Sequence, residues 1–152
     1  MDDLDKKIIA AMQDDFPLAD QPYKVIARVV GADVDEVFRR VRSLVHQGVI
    51  RRLGVSLDSR KLGYSSTLAA VRVLADRVEA ASETIAAYPE VTHSYLRDNA
   101  YNIWFTLIAP DSNAIAAILA EIREKLQLSA DDVLNLPVRR LFKLDARFKP
   151  AD

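Results

Sequence analysis

Val91-Thr-His-Ser-Tyr-Leu-Arg-Asp-Asn-Ala-Tyr-Asn-Ile-Trp-Phe-Thr-Leu107 alternates in polarity on both sides of Asp98-Asn99. Period two on either side of a turn signal predicts two paired strands. A two- or four-residue loop sets Arg97 opposite Asn102 and Tyr95 opposite Trp104. One face then collects His93, Tyr95, Arg97, Asn102 and Trp104. The other carries Ser94, Leu96, Tyr101, Ile103, Phe105 and Leu107, which are mostly apolar and suit packing against helices. The polar and aromatic set is left as a binding surface. A three- or five-residue loop would scramble it.

Outward from this hairpin, Ser66 to Val73 reads as a strand and Val78 to Tyr88 as a helix ended by Pro89. Asp111 to Leu128 carries the helical stripe Ile115, Ile118, Leu119, Ile122 and Leu126, and Val133 to Leu144 reads as a last strand. The order βαββαβ predicts a ferredoxin-like sheet with both helices on one face and the other face open. Alternation brings Arg72, Arg139 and Lys143 to that open face, with Pro137 a breaker of the last strand. Several cations and an imidazole on one shallow surface suit a ligand bearing several carboxylates, which guanidinium groups bind bidentately.

The first half follows a different rule. Leu4 to Phe16 has a helical stripe with acids in its first turn and is closed by Pro17. Pro22 opens a second helix that Gly31 ends. Asp33 and Glu36 resemble a capping box for a third, Val34 to Gln47, with His46 near its negative end. Val49 to Leu57 then alternates like the strand of a wing. The fold class expected is α+β: a winged helix-turn-helix over 1–63, breaking near Gly63, followed by a ferredoxin-like domain over 64–152.

The chain has 152 residues, 50% hydrophobic and 28% charged, a net charge of −1 and no cysteine. Disulfides, thiolate metal sites and cysteine nucleophiles are excluded together, so any metal ligand must be His46, His93 or a carboxylate. No apolar run approaches the roughly 20 residues of a membrane span, and Met-Asp-Asp-Leu-Asp lacks the parts of a secretion signal. A cytoplasmic protein with no membrane partner is expected.

A winged helix-turn-helix joined to a ferredoxin-like domain resembles the Lrp/AsnC transcription regulators. That resemblance implies DNA binding through the third helix and a small ligand sensed by the second domain. A recognition helix puts its N-terminal residues against the duplex, where cations are needed. Here those positions are Asp33, Val34, Asp35 and Glu36, and residues 1–63 hold eleven Lys or Arg against ten Asp or Glu. This is no footprint for a polyanion, so DNA binding is disfavoured. Arg39, Arg40 and Arg42 remain as a basic patch.

The run Gly48-Val-Ile-Arg-Arg-Leu-Gly-Val-Ser-Leu-Asp-Ser-Arg-Lys-Leu-Gly-Tyr64, with Leu96-Arg-Asp-Asn-Ala-Tyr-Asn-Ile-Trp-Phe-Thr-Leu107, is more specific. It is similar to the siroheme decarboxylases of alternative heme and heme d1 biosynthesis, and within them to the A-type subunits. The resemblance implies removal of carbon dioxide from the C12 and C18 acetates of siroheme, giving 12,18-didecarboxysiroheme. It implies no cofactor beyond the iron tetrapyrrole substrate, and a homologous second subunit as partner. His93 and Tyr95 are then the candidate acids, with His93 alternatively a ligand to the substrate iron. Arg97, Tyr101, Asn102 and Trp104 are candidate substrate contacts, Trp104 alternatively a subunit-interface anchor. Arg51 and Arg52 on the wing, and Arg60 with Lys61 after it, either reach the tetrapyrrole or hold surface acids. The chain departs from the family at Asp58-Ser59, where some members carry histidines.

Overall fold

The computed structural model describes residues 1–143, which divide into two compact units, Met1–Val55 and Ser56–Phe142. The division falls upstream of Gly63.

The first unit is three helices. Helix α1 (Asp3–Asp14) starts at a reciprocal capping box between Asp2 and Asp5. Helix α2 (Pro22–Val30) has proline in its first turn and stops at Gly31, whose φ of 70° is a left-handed conformation that glycine adopts without strain. Helix α3 (Val34–His46) is capped by Asp33, whose carboxylate accepts from the Asp35 amide. Glu36 does not complete a capping box, because its carboxylate is taken by Arg39 and Arg40. Ile8, Ile26, Ala27, Val37 and Val41 close over one another as the core.

The segment expected to be the wing strand forms no strand among the described residues. Alternating residues do not suffice; a strand exists only when a neighbour supplies the ladder.

The second unit is a four-stranded antiparallel sheet in the order β2-β3-β1-β4, with two helices. Its elements are β1 (Ser65–Val71), α4 (Val78–Ala86), β2 (Val91–Leu96), β3 (Ile103–Ala109), α5 (Ser112–Lys125) and β4 (Val133–Pro137). This is the βαββαβ arrangement read from the sequence. Ile103, Phe105 and Leu107 of β3 are fully buried with Ala69 and Val71 of β1, beneath Ala81 and Ile85 of α4 and Ile115, Leu119 and Ile122 of α5. The two helices therefore cover one side of the sheet, and the alternate residues of β3 turn to the other.

Two expectations fail at the edges. β4 ends at Pro137, which has no amide hydrogen to continue a ladder, so Arg139 and Lys143 lie beyond the strand and Leu144 lies outside the described residues. Leu96 shares the helix-facing side but is 66% exposed, at the end of an edge strand.

Candidate functional site

The β2-β3 hairpin builds the site. Tyr95 pairs with Trp104, Leu96 with Ile103, and the Arg97 amide donates to the Asn102 carbonyl at 2.8 Å, the register expected from alternation. The Asn99 side chain makes the turn, accepting from the Tyr101 amide at 3.1 Å. A bulge between Val91 and His93 leaves Thr92 without an opposite number.

Four of the candidate residues come together on the open side. The guanidinium of Arg97 lies 5.2 Å from the centre of the Trp104 ring, a cation–π contact that supports the charge without neutralising it. The Trp104 indole N–H donates to the Tyr101 carbonyl at 2.7 Å, which fixes the ring plane. His93 and Tyr95 stand two residues apart with rings nearly parallel, 6.3 Å between centres.

Thr92, which the sequence reading passed over, holds His93. Its hydroxyl donates to the Thr106 carbonyl at 3.4 Å and lies 3.0 Å from His93 Nδ1. A hydroxyl has one hydrogen, so when the ring hydrogen sits on Nδ1 the Thr92 oxygen accepts it and its own hydrogen goes to Thr106. Nε2 is the ring nitrogen without a protein partner among the described residues. No pattern in the sequence marks this hydroxyl; only the bulge brings it to the ring.

The other candidates do different work. Asn102 clamps the end of β1: its Oδ1 accepts from the Val73 amide at 3.1 Å and its Nδ2 donates to the Val73 carbonyl at 2.9 Å. Each end of the amide is used once, so Asn102 holds the hairpin to the sheet and keeps a second N–H. The Tyr101 hydroxyl donates to the Asp131 carbonyl at 2.7 Å, and its ring carries Arg72 at 5.7 Å. Arg72 follows the end of β1 and is bound at 2.7 Å by Asp132, whose carboxyl is held below its ordinary value by Ser129 and by Arg72 itself.

Arg51 and Arg52 are exposed in the first unit. Arg60 and Lys61 lie in a single 3-10 turn, Ser59–Leu62, which Asp58 caps by accepting from the Arg60 amide at 3.1 Å. The Asp58-Ser59 departure thus has a structural use. Arg60 lines a cavity with Ser112 and Ile115 of α5, on the helix side of the sheet and away from the other candidates.

Comparisons with known proteins bear on this geometry. Residues 61–143 match the AsnC-like ligand binding domain family, and residues 5–51 match the siroheme decarboxylase NirDL-like HTH domain. The siroheme decarboxylase alpha subunit of Desulfovibrio desulfuricans is 42% identical over 149 residues, covering 98% of this chain and 84% of the relative. This chain belongs to the siroheme decarboxylase family. A second siroheme decarboxylase subunit, NirD of Pseudomonas aeruginosa, is 36% identical over 97% of this chain and 96% of its own. Among solved structures, the siroheme decarboxylase NirDL in co-complex with an iron-uroporphyrin III analogue is 31% identical, with a TM-score of 0.69 over 88% of this chain and 44% of that one. An AsnC family transcriptional regulator from Agrobacterium tumefaciens has a TM-score of 0.78 at 26% identity, over 97% of this chain and 96% of its own. The siroheme decarboxylase family and the regulators thus share one architecture, and sequence separates them.

Proposed function

We propose that this siroheme decarboxylase subunit binds siroheme on the open side of its sheet and, with a homologous second chain, removes carbon dioxide from the C12 and C18 acetates in alternative heme biosynthesis. The observation that carries this reading is the Arg97–Trp104 stack beside His93 and Tyr95: a flat aromatic surface, an unneutralised cation and an imidazole on one face. Siroheme is flat and polyanionic, so it needs that combination. The relatives are named as subunits, and one relative of known structure was solved with an iron-uroporphyrin analogue.

In the reaction the bond between the acetate methylene and its carboxylate breaks. Carbon dioxide leaves, the electron pair is delocalised into the macrocycle, and a proton returns to the methylene carbon to make a methyl group. Arg97 holds one of the carboxylates that stay, bidentately. Trp104 supports the ring. His93 delivers the proton from Nε2 when the imidazole is charged, with Thr92 holding Nδ1–H; Tyr95 is the second donor on the same face. Asn102 and Tyr101 also keep the hairpin in place.

The test is an anaerobic titration of siroheme into the purified chain, with and without its homologous partner, following the Soret band and then product mass. Loss of two carbon dioxide units is expected with the partner present. No spectral change and no mass loss under those conditions would sink the reading. A sequence-selective complex with duplex DNA in the same preparation would put a regulator in its place.

A further inference from the structure

The helix-facing side of the sheet changes character along β1. It is apolar at Ala69 and Val71 and becomes polar at the Ser65 end. Thr67 is only 2% exposed there, and its hydroxyl donates to Asn135 Oδ1 at 2.6 Å, a nearer acceptor than the Leu68 carbonyl at 3.3 Å. An amide whose oxygen accepts this bond keeps its two N–H donors for something else, and among the described residues they meet no protein acceptor. Asn135, Ser65, Ser112 and Arg60 line one cavity of about 270 Å³, with Ile115 as its apolar wall. The hydroxyls of Ser65 and Ser112 also have no protein partner among the described residues. Arg60 gives only its Nε to Asp58, at 3.3 Å, and its two terminal nitrogens are unused. No Asp or Glu lines the cavity.

We infer that this cavity is a second binding site, for a small oxyanion of the carboxylate or phosphate class. A guanidinium with both terminal nitrogens unused is a fork that matches two oxygens of such an anion, and an amide N–H pair with two hydroxyls supplies the remaining donors. Size excludes the tetrapyrrole: about 270 Å³ falls below the roughly 300–1,000 Å³ of pockets that enclose drug-sized molecules. Position separates it from the proposed siroheme surface, because Thr67 and Asn135 point to the helices while Trp104 points the other way. The site therefore stands or falls independently of siroheme.

The experiment is a ¹H–¹⁵N spectrum of the full chain titrated with inorganic phosphate, and separately with acetate, at constant ionic strength. The reporters are the Asn135 side-chain amide and the backbone amides of Ser65 and Ser112. Saturable shifts at these groups with either anion are expected, and whichever saturates at lower concentration identifies the source. Arg60→Gln should weaken the response at least tenfold. Asn135→Asp keeps the oxygen that Thr67 uses and sets a negative charge in the cavity, so it should abolish binding with the fold intact. A linear, non-saturating response to both anions overturns the proposal, as does undiminished binding in either variant.

Discussion

Arg39 and Arg40 of α3 and Arg97 of the sheet face are in opposite states. On α3, Arg40 is bound to Glu36, to Asp2 at 2.6 Å and to Asp5 at 3.0 Å, and Arg39 is bound to Glu36. Arg42 lies 6.0 Å from the centre of the Phe38 ring. On the sheet, Arg97 rests on Trp104 with no carboxylate partner among the described residues. Acids thus consume two of the three arginines of α3, Arg39 and Arg40, whereas an aromatic ring carries Arg97 of the open sheet, as one carries Arg42, without cancelling it. Counting charges does not distinguish these surfaces. Asking what each charge already touches does.

Four measurements test this contrast. The largest effect belongs to His93→Ala, which should lower single-turnover decarboxylation by roughly a hundredfold or more, the usual contribution of a placed acid. Siroheme affinity should change far less, and unaltered turnover would remove His93 from the chemistry. Next, Arg97→Ala should weaken siroheme binding by about tenfold, equivalent to about 1.4 kcal/mol, when followed at the Soret band. Arg40→Ala should leave that affinity as it is. Equal losses in the two variants would erase the difference between these arginines.

Asn102→Ala should lower unfolding stability by about 1–2 kcal/mol, since it strips partners from the Val73 amide and carbonyl. Urea denaturation reads this directly. Undiminished stability with weakened siroheme binding would return Asn102 to the ligand.

The smallest effect is one of pH. Asp2 is held below its ordinary value of 3.8 by the Asp5 amide and by Arg40, and Glu36 below 4.5 by Arg40 and Arg39. Carboxyls with depressed values contribute stability that is complete above the ordinary value and is lost as pH falls through the folded one. The helical unit should therefore keep this contribution from neutrality down to about pH 5 and lose it below about pH 4. Glu36→Gln should flatten that acid limb in far-ultraviolet circular dichroism; an unchanged limb would mean the network contributes nothing.

The hairpin register was legible because Ile103, Phe105 and Leu107 alternate with Trp104 and Thr106, and a slip of one residue would bury the wrong set. The family was legible in two local runs. Roles that depend on distant partners were not. Asn102 has the parity of the binding set, yet it is claimed by Val73, a neighbour set by where β1 ends. Arg60 follows the supposed wing in sequence but lines a cavity with α5, a placement that no local pattern encodes. Pro137 correctly marked a break in the last strand, whereas the wing had the right alternation and no ladder partner among the described residues. No helix among those residues is long and apolar enough to cross a membrane.

The bulge at Thr92 works as a phase shifter. Val91 pairs with Leu107 and packs on the core, whereas His93 pairs with Thr106 on the open side, although two residues apart they would ordinarily share a face. One surplus residue therefore uncouples two surfaces, so that changes in the core-facing start of the strand need not propagate into the imidazole and phenol beyond it. A single deletion usually inverts everything downstream in a strand. Here, removing Thr92 restores unbroken alternation, keeps His93 and Tyr95 on their side and subtracts only the hydroxyl that orients the imidazole. The hairpin carries a built-in tolerance for losing one residue, at the position where the chemistry would notice it first.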